Sequence, residues 1–128
     1  MDSNDLIKKI IQCAYNVRTQ LSAGYLESIY KKALLIELRE NGLSAEEEYP
    51  ITVFYNNIVV GEFRADIIVN NEVIIELKAV QNLHPIHEAQ LVNYLTATNI
   101  DNGLLINYGS DKLEIKRKYR TYLKDNNT

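Results

Sequence analysis

The sequence predicts an α/β fold in which helices pack on a mixed β-sheet. Apolar residues recur with helical spacing in three segments, and other segments are rich in β-branched and aromatic residues, as is typical of strands. The predicted order is α-α-β-β-β-α-β-β. This order favours a mixed sheet with helices packed on it. A length of 128 residues fits a single domain over residues 1–128.

Two helices open the chain. Residues 4–21 carry one apolar stripe, and Ser3 or Asn4 is the expected N-cap. Residues 22–24 (SAG) break the stripe before a second helix begins. That helix is predicted to stop at residues 41–42 (NG), because glycine adopts the left-handed conformation after a helix without strain.

Three strands and two turns follow the helical pair. The predicted strands are residues 49–55, 58–69 and 73–80, with Asn-Asn turns at 56–57 and 70–71. Asparagine suits such turns because it tolerates the left-handed conformation.

The last third of the chain predicts one helix and two strands. The helix is expected to open at residues 82–85, with Pro85 in its first turn, and to run to about Asn99. Residues 103–108 form a short apolar strand, and the alternation over residues 113–119 indicates a final one.

Composition excludes several classes of protein. Seventeen acids against 14 lysines and arginines give a net charge of −3, so a large basic face is excluded and any polyanion site is a local patch. The single cysteine, Cys13, excludes an internal disulfide framework. No apolar run approaches the roughly 20 residues that span a membrane. The N-terminus, MDSNDLIKK, lacks the positive start of a signal peptide, so we expect a cytoplasmic protein.

Charged residues interrupt two strands that are otherwise apolar. Glu76 and Lys78 lie two positions apart and so share one face, and Asp66 interrupts the preceding strand. One interpretation is a structural ion pair of Lys78 with either acid. The other is a Mg²⁺ site, in which carboxylate oxygens bind the cation and the lysine orients water or stabilises phosphoryl charge.

The metal interpretation constrains the turn at residues 70–71. A strict two-residue hairpin would pair Asp66 with Ile75, so that Asp66 and Glu76 would face opposite sides of the sheet. A three-residue connection over residues 70–72 would instead place Asp66 opposite Glu76. We therefore predict that this connection is not a plain two-residue hairpin.

Five ordered motifs resemble those of the GxxExxY family, which in turn resembles the PD-(D/E)XK nuclease superfamily. The resemblance spans about residues 4–122, and its motifs are Gly24–Tyr30 (GYLESIY), Arg64–Asp66 (RAD), Ile75–Ala79 (IELKA), His87–Tyr94 (HEAQLVNY) and Gly103–Asn107 (GLLIN). The resemblance implies a restriction-endonuclease-like mixed β-sheet flanked by helices.

The resemblance also implies roles for individual residues. Asp66 and Glu76 would be metal ligands, Lys78 the catalytic lysine and Glu27 an additional acid and metal ligand. Gln90 and Tyr94 match the QxxxY motif of the RecB-like branch and would be catalytic residues. Only the proline of the "PD" motif is replaced, by alanine.

Other polar residues have competing interpretations. His87 lies on the face of Gln90 and is predicted to contact a phosphate, whereas a zinc site built on His84 and His87 is the less favoured alternative. Six of the 14 basic residues fall near the C-terminus, where a face of the last strand would bind a nucleic-acid backbone; they are Lys112, Lys116, Arg117, Lys118, Arg120 and Lys124.

We therefore expect a Mg²⁺- or Mn²⁺-dependent endo- or exonuclease that hydrolyses phosphodiester bonds in DNA or RNA. The alternative is a catalytically inactive nucleic-acid- or protein-binding module with the same fold. A homodimer is compatible with the small size, because two cuts in a duplex need two sites.

Overall fold

The computed structural model describes residues 1–122 and confirms the predicted order of helices and strands. The helices are α1 (Ser3–Gln20), α2 (Glu27–Glu40) and α3 (Pro85–Thr98). The strands are β1 (Ala45–Tyr55), β2 (Ile58–Val69), β3 (Val73–Lys78), β4 (Asn102–Asn107) and β5 (Glu114–Tyr119).

The strands form one mixed sheet with the spatial order β1-β2-β3-β4-β5. Only β3 and β4 pair in parallel, and α3 forms the crossover between them; the other neighbours are antiparallel. Strand β3 lies at the centre and is buried except at its last residue, Lys78. Polar side chains at its end therefore lie inside the fold, where burial strongly affects their charge.

Helices cover both faces of the sheet. On one face the apolar stripes of α1 and α2 pack on odd-numbered residues of β3, including Ile75 and Leu77. On the other face α3 places Leu91 and Leu95 against Ile74 and Leu105. Within residues 1–122, none of the helices has the length and apolar character that crossing a membrane requires.

The predicted N-cap of α1 and the predicted start of β1 were wrong by a few residues. The N-cap of α1 is Asp2, rather than Ser3 or Asn4, and its carboxylate accepts from the N–H of Asp5 at 2.8 Å. Strand β1 begins at Ala45 because backbone pairing with β2 extends through an exposed acidic run, residues 46–48, that carries no strand-like pattern.

Both Asn-Asn turns use the left-handed conformation. Asn56 and Asn57 have φ of 51° and 64° and close the predicted hairpin between β1 and β2. Asn70 and Asn71 have φ of 51° and 54°. Here Val69 pairs with Val73, so the connection has three residues. The prediction that it is not a plain two-residue hairpin is confirmed.

Candidate active site

The two strand carboxylates meet where β2 and β3 separate. Their ladder ends at the pair Ile67–Ile75, and the next positions along are Asp66 and Glu76. The N–H of Leu77 donates to Oδ2 of Asp66 at 2.7 Å, and the N–H of Asp66 donates to Oε1 of Glu76 at 3.0 Å. These reciprocal bonds hold both carboxylates in place. Among the described residues, no group outside the pair donates a further hydrogen bond to either carboxylate.

The buried carboxylate pair has an unusual charge balance. Glu76 is only 7% exposed. Its burial, and then the negative charge of Asp66, raise the pKa of Glu76 to about 8. In the described part of the chain, no ion pair within 4.0 Å joins Lys78 to either acid. This geometry argues against a structural ion pair and leaves a site whose negative charge a cation would neutralise.

Glu27 lies in the first turn of α2, and the residues around it explain its position. Gly24 has a φ of 119°, a conformation that side chains disfavour, and it turns the chain into the helix. The hydroxyl of buried Tyr30 donates to the carbonyl of Ser22 at 2.5 Å and accepts from the N–H of Tyr25 at 3.1 Å. The glycine and the tyrosine of this segment therefore hold the loop that presents Glu27.

Electrostatic interactions place Glu27 beside the carboxylate pair. Partial burial and the charge of Asp66 raise the pKa of Glu27, while Lys78 and Lys31 lower it. Glu27 remains exposed to the open side of the site. Glu27 is thus near enough to Asp66 and Lys78 for their charges to shift its pKa, and one cleft shared by Glu27, Asp66, Glu76 and Lys78 stays a prediction.

Tyr30→Phe should loosen the loop that presents Glu27. The ring would still stack on Tyr108, whose centroid lies 4.7 Å away, but both hydroxyl bonds would be lost. We expect the free energy of unfolding to fall by about 1 kcal/mol, the usual net contribution of such bonds. Urea denaturation measures this change. Tyr15→Phe on the exposed face of α1 is the matched control, and an equal loss there would contradict the assignment.

The end of β4 positions Lys78. The carbonyl of Lys78 accepts from the N–H of Tyr108 at 2.8 Å, and the buried side chain of Asn107 bonds both the N–H and the carbonyl of Val80, at 3.0 and 2.9 Å. A Cβ at Gly109 would lie 2.3 Å from the nitrogen of Val80, so only glycine permits this approach. The sequence predicted no role for Asn107. The feature that could have indicated one is a polar residue at the end of an otherwise apolar strand.

Helix α3 contributes the predicted Tyr94 and Gln90 to the same region. Tyr94 is 8% exposed; its burial and the charges of Glu76 and Asp66 raise the pKa of its phenol, so the ring lies near the carboxylates. Gln90 is exposed on the same helix face.

The two histidines cap α3. The Nδ1 of His84 accepts from the N–H of Ile86 at 3.0 Å, and the Nδ1 of His87 accepts from the N–H of His84 at 3.2 Å. An accepting Nδ1 leaves the proton of His87 on Nε2. Partial burial and nearby Lys78 lower the pKa of His87, so its ring is neutral at pH 7. This capping arrangement argues against a zinc site.

Two residues beside the cleft were missed by sequence reasoning. Lys31, one turn after Glu27, pairs with Glu48 at 2.5 Å, and the hydrogen bond to Glu48 followed by charges including that of Asp66 raises the pKa of Lys31. Glu48 has a φ of 56° and lies opposite Asp66 in the β1–β2 register, between two paired positions. The sequence pattern did not single out Glu48 because an exposed acidic run is usually a solvated surface.

The basic residues near the C-terminus do not form one patch. Lys116 and Lys118 both pair with Glu88 of α3, at 3.3 and 3.1 Å, while Arg117 bonds Asn102 and Asn4 on the opposite side. Lys116 and Lys118 thus share one face of β5, and Arg117 lies on the other. Lys124 lies outside the described residues.

The donor set fits a hard divalent cation without forming a complete cage. Asp66 and Glu76 offer carboxylate oxygens, the ligands that such cations prefer. Within residues 1–122, no three His, Cys, Asp or Glu side chains are arranged to hold a metal ion. Glu27 therefore lies near the pair but does not close on it as a third ligand.

The fold and the site together define a restriction-endonuclease-like α/β domain, as predicted. The chain belongs to the PD-(D/E)XK nuclease superfamily, whose model matches residues 4–118. The crystal structure of SSO0001 is similar in fold, with a TM-score of 0.61 and 22% identity over 74% of this chain and 50% of that one. The chain thus spans about half the length of that protein. No curated protein matches the chain.

Proposed function

We propose that this protein is a nuclease that hydrolyses phosphodiester bonds of DNA or RNA with the help of a divalent cation. The proposal rests chiefly on one observation: two carboxylates, one of them buried, face each other where β2 and β3 separate, and within residues 1–122 no cationic side chain lies within ion-pairing distance. Membership of a nuclease superfamily supports the same reading.

Asp66 and Glu76 would hold the cation, Mg²⁺ or Mn²⁺, and Glu27, which does not close on the pair, would bind it through water. When bound, the cation would lower the pKa of water and neutralise the charge that develops on the phosphoryl oxygens. The backbone bonds to each carboxylate keep one oxygen occupied and direct the other toward the ligand. This pre-arrangement reduces the reorganisation that binding requires.

Lys78 would orient the attacking water and stabilise negative charge on the phosphate, because it follows Glu76 on the same strand face without being paired to it. His87 would donate a hydrogen bond from Nε2 to a phosphate oxygen, since its Nδ1 is engaged in the helix cap. Gln90 and Tyr94 would contact the substrate beside the carboxylates.

We infer further that the chain belongs to the GxxExxY branch of the superfamily. Gly24 and Tyr30 support this inference because they shape the loop before Glu27.

Lys116 and Lys118 of β5 both pair with Glu88. They would exchange this acid for the phosphates of a nucleic-acid backbone.

The test is cleavage of labelled single-stranded and duplex DNA and RNA by the wild-type chain, with Mg²⁺, with Mn²⁺ and with EDTA, alongside calorimetry of the metal alone. We expect cation binding and cleavage that EDTA abolishes. If the protein binds neither cation and cleaves nothing, the nuclease proposal is wrong, and nucleic-acid binding without cleavage would favour an inactive binding module.

A further inference from the structure

A groove opens between the β1–β2 hairpin and α3, next to the carboxylate pair. Its volume is about 830 Å³. The hairpin contributes Phe54 and Phe63 to its walls, and α3 contributes Ile86, Gln90 and Tyr94. The groove is therefore bounded by two independent elements, and its lining includes residues from the candidate active site.

The lining is neutral and aromatic. The rings of Phe63 and Tyr94 lie 5.6 Å apart at an angle of 38°, and Phe63 is 44% exposed despite being apolar. Gln90 and Asn93 supply amide groups, and none of the residues from 1 to 122 that line the groove is charged. Exposed aromatic faces with a few amides match a nucleobase, which has an apolar face and a polar edge. They do not match a phosphate, which requires cations or N–H groups.

Tyr94 is the residue that relates the groove to the carboxylate pair. This residue lines the groove, packs in the cluster that contains Ile74, two residues before Glu76, and interacts electrostatically with both Glu76 and Asp66. A base stacked on the exposed ring of Phe63, beside Tyr94, would therefore keep a phosphate of its own strand close to the carboxylates. The bases of an intact duplex are paired and stacked, so they cannot enter.

We propose that the groove binds an unpaired nucleobase next to the scissile phosphate, which makes single-stranded nucleic acid the substrate. This inference rests on the proposed nuclease function only where it states that the phosphate beside the bound base is the one that is cleaved. The binding of the base does not itself require cleavage. The two statements can therefore fail separately.

The experiment measures binding of three fluorescent oligonucleotides of equal length to the Lys78→Ala variant with Mg²⁺: a single strand, a blunt duplex and an abasic single strand. The abasic strand has the same phosphates without bases. We expect the single strand to bind about tenfold more tightly than either of the others, since stacking on one aromatic side chain contributes on this scale.

Phe63→Ala should remove about a tenfold factor from single-strand binding, while Phe63→Tyr should retain it. Tyr55→Ala is the matched control, because Tyr55 is an exposed aromatic on the same hairpin outside the groove lining. Circular dichroism of each variant confirms that the exposed positions leave the fold intact.

If single strand, duplex and abasic strand bind with equal affinity, and Phe63→Ala does not change that affinity, the inference is overturned. If the wild-type chain still cleaves duplex in that case, the proposed nuclease function survives. Base-dependent binding without any cleavage would support base binding in the groove and contradict the proposed nuclease function. A solution mass of two chains that Phe63→Ala reduces to one would show that the groove holds a second copy instead, which also overturns the inference.

Discussion

Lys78→Ala should lower the rate of metal-dependent cleavage by about 10²–10³-fold, the usual loss when a group that stabilises developing charge is removed. The protonated amine has no lone pair for a metal, so cation affinity should remain close to that of the wild type. The change should not disturb the sheet, because the backbone of Lys78 is held through its carbonyl by Tyr108. Single-turnover cleavage and calorimetry of Mn²⁺ measure the two effects.

Lys32→Ala is the matched control, since Lys32 is exposed on α2 and forms none of the described ion pairs. It should leave both rate and affinity unchanged. Full activity in Lys78→Ala would exclude Lys78 from the chemistry, and loss of metal binding there would show that it shapes the metal site instead.

Glu76→Gln should stabilise the metal-free protein at alkaline pH and abolish its stabilisation by Mg²⁺. The amide oxygen of glutamine still accepts the N–H of Asp66, so the geometry is conserved while the buried charge is removed. Active-site residues often conflict with stability in this way. The gain should be on the order of a few kcal/mol near pH 9.

The pH dependence follows from the raised pKa of Glu76, which moves from an ordinary 4.5 to about 8 in the folded chain. The folded state therefore binds more protons than the unfolded state between these values. In EDTA, the contribution of Glu76 to the free energy of unfolding of the wild-type protein should be fully present below pH 4.5. That contribution should be lost as the pH rises through about 8. Glu76→Gln should remove this slope.

Urea denaturation in EDTA from pH 5 to pH 9 tests both expectations. Glu72→Gln is the control, because Glu72 is exposed in the turn between β2 and β3. A wild-type slope that persists in Glu76→Gln would assign the titration to another group. A Mg²⁺-dependent gain in stability that persists in Glu76→Gln would contradict the role of Glu76 as a ligand.

Much of the fold was predictable because local patterns and packing agree. The apolar stripes of α1 and α2 are the buried faces of those helices, and Pro85 begins α3 as its fixed backbone angle favours. The connection at residues 70–72 was predicted not to be a plain two-residue hairpin, because that hairpin would place Asp66 and Glu76 on opposite faces of the sheet. The chemistry of the metal interpretation thus excluded one backbone connection.

Other features depend on tertiary contacts that no local pattern carries. Glu48 adopts a left-handed conformation in the middle of a strand and pairs with Lys31 of a different element. Asn107 acts on Val80, far away in the sequence. The groove exists only because α3 packs beside the β1–β2 hairpin, so its lining follows from the fold and not from a motif.

The acidic run of β1 has a consequence for self-association. Strand β1 is an edge of the sheet, and an edge strand exposes backbone groups that invite pairing with another chain. Glu46, Glu47 and Glu48 repel a second copy of the same acidic strand, and Pro50 lacks the N–H that a continuous new ladder would need. The acids of β1 thereby protect the sheet from growing into an aggregate, so neutralising them would favour edge-to-edge association.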